Sequence, residues 1–234
     1  MIFENPEDRQ IFLDNRLIRS EDAHLVRGAG VDTRRFTPTP EPAGSPVVLF
    51  AARMLWTKGV GEFVAAARLL HDSGVNARFA LSGRSDEGNP AGVPLDQIHA
   101  WDKEGVVEWW GWNDDMPATF ARTSIFCLPS YYREGVPTVI LEASAAGKPV
   151  VTTDWPGCRD AVLDGITGMI IPPGDAHALA AAIQGLLQNP ALRQQMGSAG
   201  RKMVMEEFSS EKINQHIIQV YNKARQHDPQ PSSS

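Results

Sequence analysis

The chain has 234 residues, 42% of them hydrophobic, 21% charged and 8% aromatic, which excludes disorder, a collagen-like repeat and a pure coiled coil while allowing a sizeable core. A formal charge of −6 leaves the chain as a whole without the attraction that nucleic acid or an anionic lipid surface requires, so any phosphate binding must be local. At roughly 150 residues per domain, the length falls between one domain and two.

The two cysteines, Cys127 and Cys158, have no C-x-x-C spacing and point to a reducing compartment. No run of about 18 apolar residues occurs, and the start Met-Ile-Phe-Glu-Asn-Pro lacks a basic stretch leading into an apolar one. Neither a membrane span nor a signal peptide is expected.

Taken in chain order, residues 1–36 read as a short helix over 6–15, a strand over 24–26 and then Gly28-Ala-Gly-Val-Asp32, with no core of their own. Gly28-Ala-Gly30 lacks the third glycine of a dinucleotide fingerprint and leads into a linker. It therefore reads as a turn that lets the backbone reverse or approach another segment closely. The density of Pro, Gly and Ser over 37–46 marks that linker.

From residue 45 onward, short β-branched runs at 46–52, 77–82, 106–110, 124–128, 149–153 and 167–171 alternate with helical periods at 61–73, 95–104, 116–122 and 138–146. This βα repetition predicts an α/β fold, a Rossmann-like doubly wound parallel sheet whose ligand crevice lies beyond the C-terminal ends of the strands. After Ile171 the pattern is all helical, over 176–188, 190–207 and 210–226, the last with a stripe of Ile213, Ile217, Val220 and Tyr221, before a frayed tail from His227. The expected organisation is thus 1–44 as the end of a preceding unit plus linker, 45–207 as the complete domain, and 208–234 as a C-terminal helix and tail.

Function should sit in the loops after the strands. The first of these, Ala52-Arg53-Met-Leu-Trp-Thr-Lys58-Gly59, places two cations at a strand exit just before a helix, a combination suited to two phosphoryl groups, although solvated surface cations have the same appearance. A second strand exit carries Arg133-Glu134-Gly135-Val136-Pro137-Thr138-Val139 and, one turn or so into a helix, Glu142. Pro137 can open that helix, leaving the free amides of Thr138 and Val139 to meet an anion. Glu142 stands among small and apolar residues and should not be buried without partners. The vicinal hydroxyls of a sugar are suitable; so is an arginine such as Arg53 or Arg159. Glu134 is either a second sugar ligand or a solvated loop charge. Asn113-Asp-Asp115 resembles a metal motif, but helix capping by the Asp is the simpler reading.

Glu134, seven intervening residues and Glu142, within R-E-G-V-P-T-V-I-L-E-A-S-A-A-G-K-P-V-V, closely resemble the hallmark of retaining glycosyltransferase family 4. The resemblance extends over nearly the whole chain: Gly28-Ala-Gly-Val-Asp through Phe36-x-Pro38 resembles the family's interdomain segment, 52–59 its diphosphate-binding pair, and Thr152-Thr-Asp-Trp-Pro-Gly157-Cys-Arg its following strand exit. The wording is most similar to bacterial enzymes that build O-antigen, capsule or other lipid-linked glycans. This family implies one half of a GT-B fold and a nucleotide-sugar donor, UDP- or GDP-linked, from which a hexosyl or N-acetylhexosaminyl group passes to a glycan or polyprenyl-diphosphate-linked acceptor. No metal or other cofactor is implied.

By the same resemblance, Arg53 and Lys58 hold the diphosphate and Glu142 the ribose, Glu134 contacts the donor sugar, the backbone amides of Val136, Pro137, Thr138 and Val139 complete the phosphate cradle as far as each has an N–H, and Gly135 belongs to the substrate-binding loop. Gly83, Arg84, Gly111, Trp112 and Asn113 form the base pocket. The family's mechanism is front-face displacement without a protein nucleophile. The acceptor domain is expected to be absent apart from its last helix and strand, so the chain should bind donor and transfer sugar poorly. The intact enzyme would be cytoplasmic and peripheral at the inner face of the plasma membrane. A nucleotide-sugar 2-epimerase-like enzyme and a non-catalytic subunit of a split enzyme are the alternatives; the six histidines are scattered, with none in the acidic motif.

Overall fold

A computed structural model of the protein describes residues 1–86 and 88–227. The expected tail lies, from residue 228, outside them.

The N-terminal segment begins with a strand that its two residues could not announce, β1 (Ile2–Phe3), then α1 (Pro6–Asp14) and β2 (His24–Leu25), which pairs with β1 in parallel. Asn5 caps α1, its Oδ1 accepting from the Asp8 amide at 2.7 Å, and Pro6 fills the first helical position where no N–H is needed. Phe3 meets Phe12 edge to face at 5.0 Å.

The main sheet comprises β3 (Val47–Ala51), β4 (Arg78–Ser82), β5 (Glu108–Gly111), β6 (Ile125–Leu128), β7 (Val150–Thr153) and β8 (Gly168–Ile171). All its pairings are parallel, in the order β5-β4-β3-β6-β7-β8. Every residue of β3, β6 and β7 is buried, which is why these strands read as unbroken apolar or Thr-containing runs instead of alternating ones. The order reverses between β3 and β6. The crevice of a doubly wound sheet opens at that point, beyond the C-terminal strand ends.

The crossovers are α2 (Val60–Asp72), α3 (Leu95–Lys103), α4 (Met116–Ala121) and α5 (Thr138–Ala145). They precede α6 (Ala176–Gln188), α7 (Pro190–Met203) and α8 (Ser210–His227). Helix α2 packs against α6, and α5 against α7. The core runs through the sheet as one cluster, with Phe50, Phe63, Phe79, Phe120 and Phe126 fully buried.

Three departures from the periodic reading have local causes. The helix expected to run to Glu207 ends at Met203 and becomes a π-turn over Val204–Phe208. There the backbone turns to meet the Gly28–Val31 segment: the Val31 amide donates to Phe208 O at 2.9 Å and the Ser210 amide to Val31 O at 3.0 Å. Gly30 lies against Ser210 and Ile213, and Gly28 against Val136, so the glycine pair serves close approach. Second, the α8 stripe is narrower than its spacing implies. Ile213 and Val220 are buried with Val26, whereas Tyr221 is 61% exposed. Third, the strand expected over 106–110 starts two residues late, as β5 at Glu108, where its pairing with Ala80 of β4 begins, and its register shifts between Leu81 and Ser82.

Candidate functional site

Residues from both sides of the switch point converge on one crevice. After β3 the chain passes through a short 3₁₀ turn, Trp56–Lys58, to Gly59, whose φ of +81° suits glycine. A Cβ there would stand 2.1 Å from Pro129 O, so glycine also lets the two strand-exit loops touch. They are tied by the Tyr131 amide donating to Thr57 O at 2.9 Å. The two cations of the first loop, alike in sequence, have different surroundings. Lys58 is only 7% exposed, and its ammonium pairs with the Glu134 carboxylate and lies 5.1 Å from the Tyr132 ring centre. Arg53 is exposed at the mouth, 3.3 Å from Asp86. Glu134 is accordingly no solvated loop charge.

Pro137 occupies the N-cap of α5 and the helix begins at Thr138, so the first-turn amides are free to face an anion. Gly135 lies under the carboxylate of Glu4: a Cβ on Gly135 would come within 1.7 Å of Glu4 Oε2. Val136 is buried against Gly28. Gly157, in the loop after β7, packs on the Gly135 carbonyl and closes the other side of the acidic loop.

Glu142 pairs with neither Arg53 nor Arg159; the latter is engaged by Asp154 and Glu7. Glu142 is half-buried, and its carboxylate has no hydrogen-bond or ion-pair partner among the described residues. Burial pushes its carboxyl up to about 7, opposed only in part by the charge of Arg35. An acid of this kind is poised to accept donors that arrive with a ligand.

The five residues expected to hold a base are grouped beside the β3 exit. The Gly83 amide donates to Gly111 O at 2.9 Å, and Arg84 O accepts from the Met54 amide at 2.9 Å. The Arg84 guanidinium stacks 4.3 Å from the centre of the exposed Trp112 ring. Asn113 is occupied within its own turn, its Nδ2 donating to Thr119 Oγ1 at 3.0 Å and its Oδ1 accepting from the Asp115 amide at 2.9 Å. Asp115 caps α4, accepting from the Ala118 amide at 3.0 Å.

Sequence reasoning missed four residues here. Arg35 supplies the charge felt by Glu142 and donates to Asp114 O at 3.1 Å. Glu4, Asn5 and Asp8 bring the N-terminal segment onto the acidic loop: Asn5, fully buried, donates to Glu134 O at 3.4 Å, and Asp8 pairs with Arg133 at 2.6 Å. The one local signal was the capping pattern of Asn5; its reach across to residue 134 leaves no mark in the sequence. Asn5→Ala is expected to lower stability by about 1 kcal/mol, read as a shifted urea midpoint with an unchanged m-value.

The fold and these loops together define a doubly wound α/β protein with a buried lysine and the free amides of a helix N-terminus at the strand exits beside the sheet's switch point, and a carboxylate without a protein partner in the helix that follows. The family model of group 1 glycosyl transferases matches residues 32–203, and the chain belongs to that family. It is 28% identical, over 95% of its length, to the N,N'-diacetylbacillosaminyl-diphospho-undecaprenol alpha-1,3-N-acetylgalactosaminyltransferase of Campylobacter jejuni, covering 60% of that protein. Among solved structures, sucrose-phosphate synthase from Thermosynechococcus elongatus superposes with a TM-score of 0.83 at 28% identity, over 97% of this chain and 58% of that one. Anabaena HepE, solved in complex with UDP, superposes at 0.84 with 22% identity, over 95% and 63% of the two chains. The chain thus spans about 60% of the length of these relatives, and its fold is that of GT-B glycosyltransferases. Among the described residues, no helix is long and apolar enough to cross a membrane.

Proposed function

We propose that this chain is the donor-binding half of a retaining family 4 glycosyltransferase, and that the crevice between the β3 and β6 exits holds a nucleotide sugar. One observation carries the reading: a buried ammonium, Lys58, stands at the β3 exit, and a half-buried carboxylate without a protein partner, Glu142, lies in α5, the helix that follows the β6 exit tied to it. The first suits a diphosphate and the second a vicinal diol, and the two belong together in a nucleoside diphosphate. The complex of HepE with UDP supports the donor class, and the name of the Campylobacter relative supports a lipid-linked acceptor.

In this reading Lys58, Arg53 and the amides of Val136 to Val139 take the diphosphate. Glu142 takes the ribose and Glu134 the sugar, and the Gly83–Arg84 and Gly111–Asn113 turns flank the base. As the anomeric C–O bond to the diphosphate breaks, the acceptor oxygen bonds to the same face of the sugar and its proton passes to the departing phosphate. The cations and helix amides stabilise the charge that develops there. Glu134 already neutralises Lys58, so an incoming diphosphate must share or displace that carboxylate, which frees it to turn toward sugar hydroxyls. Donor binding is the activity expected of this stretch; transfer also needs an acceptor site. The parent enzyme is read as a peripheral cytoplasmic protein of surface-glycan synthesis.

The test is calorimetric titration of UDP, GDP, ADP and their sugars. One nucleoside diphosphate should bind well above the others, and a flat response to all three would remove the donor-site reading. Arg53→Ala should weaken diphosphate binding about tenfold while leaving nucleoside binding unchanged. An equal loss for both ligands would take Arg53 out of the site.

A further inference from the structure

A cluster of three cations, two of them buried, lies at the other end of the sheet. The segments that precede β6 and β7, the linker and the start of α7 enclose a cleft of about 840 Å³. Because the strands are parallel, their N-terminal ends face away from the nucleotide crevice, and the two sites are separated by the length of the strands. Lys148 lines this cleft at 4% exposure, and its ammonium has no hydrogen-bonding partner among the described residues. Burial pulls its pKa down, while the Glu41 carboxylate holds it up.

Arg193, 6% exposed, lines the same cleft; its fork takes Glu41 at 2.8 and 3.0 Å, and its Nε is buried without a partner. Arg201 completes the set, donating to the carbonyls of Thr33, Phe36 and Ala145. Among the described lining residues, three cations thus face one carboxylate, Glu41, which belongs to the linker. The first turn of α7, from Pro190, opens onto the same space.

Lys148 is buried along its stem, and its ammonium meets the cleft with no protein acceptor among the described residues, so only water or an incoming anion can satisfy it there. An ion pair that merely clipped the linker in place would need Arg193 and Glu41 alone. Lys148 and the net positive charge of the cleft exceed that requirement. We propose that this cleft is a second anion site that takes a small phosphate-class oxyanion between Lys148 and Arg193, in competition with the linker carboxylate Glu41. Occupation there loosens Glu41 from Arg193, so the ligand's effect is felt by the linker over 37–46 and not by the nucleotide crevice.

The probe is inorganic phosphate, titrated calorimetrically at constant ionic strength into the 234-residue chain and into three variants, with chloride as the control. Lys58→Gln, which alters only the front crevice, should keep a saturable phosphate isotherm. Lys148→Gln should weaken that isotherm about tenfold, and Glu41→Gln should tighten it roughly fivefold by removing the competitor. An isotherm lost in Lys58→Gln, unchanged in Lys148→Gln or reproduced by chloride overturns the proposal. If Lys148→Gln does not fold, Glu41→Gln decides: unchanged or weaker phosphate binding in that variant is equally fatal. Failure here leaves the nucleotide-site reading untouched, because that reading rests on Lys58 and Glu142.

Discussion

Glu142→Gln is expected to make the protein more stable and a poorer binder of nucleotide sugar. The carboxyl sits near 7 in the folded chain against 4.5 as its ordinary value, because burial disfavours its charge. Its folded pKa is therefore raised, and the native state holds a proton that the unfolded chain has released between those values. Wild-type stability should be independent of this group below about pH 4.5, fall as pH rises from there to 7, and stay flat above. At 1.36 kcal/mol per unit, the loss amounts to about 3 kcal/mol by pH 8. The neutral glutamine avoids it, so thermal unfolding at pH 8 should show a Tm roughly 5–10 °C higher, converging with wild type at pH 4.

The binding consequence has the opposite sign. A diol that donates to the ionised carboxylate draws its pKa down, so wild-type affinity for a nucleotide sugar should rise about tenfold from pH 6 to pH 8 with proton release. A diphosphate ester is the right probe, since it lacks the terminal phosphate that titrates in that window. Glu142→Gln should be weaker throughout and flat with pH. A parallel pH slope in the variant would show that Glu142 does not meet the ligand.

The second large effect concerns Lys58 and Glu134, whose ion pair lies mostly out of water, at 8% and 25% side-chain exposure. Lys58→Gln leaves Glu134 without its counter-charge and should cost about 2–4 kcal/mol, measured by urea denaturation. Glu134→Gln strands the ammonium and should cost a similar amount. With both residues neutral, the desolvation of both ions disappears together with their attraction, and most of the stability should return. Binding divides the variants differently. Diphosphate affinity should fall ten- to a hundredfold wherever Lys58 is absent, the double variant included, because a charged hydrogen bond to phosphate is lost. In Glu134→Gln the free ammonium should keep or tighten the bare diphosphate, with the deficit confined to discrimination among sugars. If stability and diphosphate affinity instead recover together in the double variant, the pair is a structural clip.

The six main strands and their crossovers were legible to within two residues, because strands buried on both faces must be apolar at consecutive positions and crossovers must carry helical period. The candidate site was legible only as a set of residues at strand exits, which the doubly wound topology brings together whatever their separation in sequence. The environments of individual charges were not. Arg53 and Lys58 are equivalent as letters, yet one is exposed and one buried, because Gly59 draws the second half of that loop down onto Pro129. Arg35 was invisible for a related reason: its influence on Glu142 depends on where the segment before the linker lies in space. The π-turn at Val204–Phe208 breaks no propensity rule; it follows from the need to hydrogen-bond Val31.

Val26, packed between Ile213 and Val220, gives the last helix an influence far from its own surroundings. Through Val26, α8 seats the segment whose Asn5 and Asp8 grip the loop carrying Arg133 and Glu134. The N-terminal segment and the last helix thus form a lever on the acidic loop. Shortening the protein at its C-terminus should be felt first as a slackened acidic loop at the opposite end of the sequence.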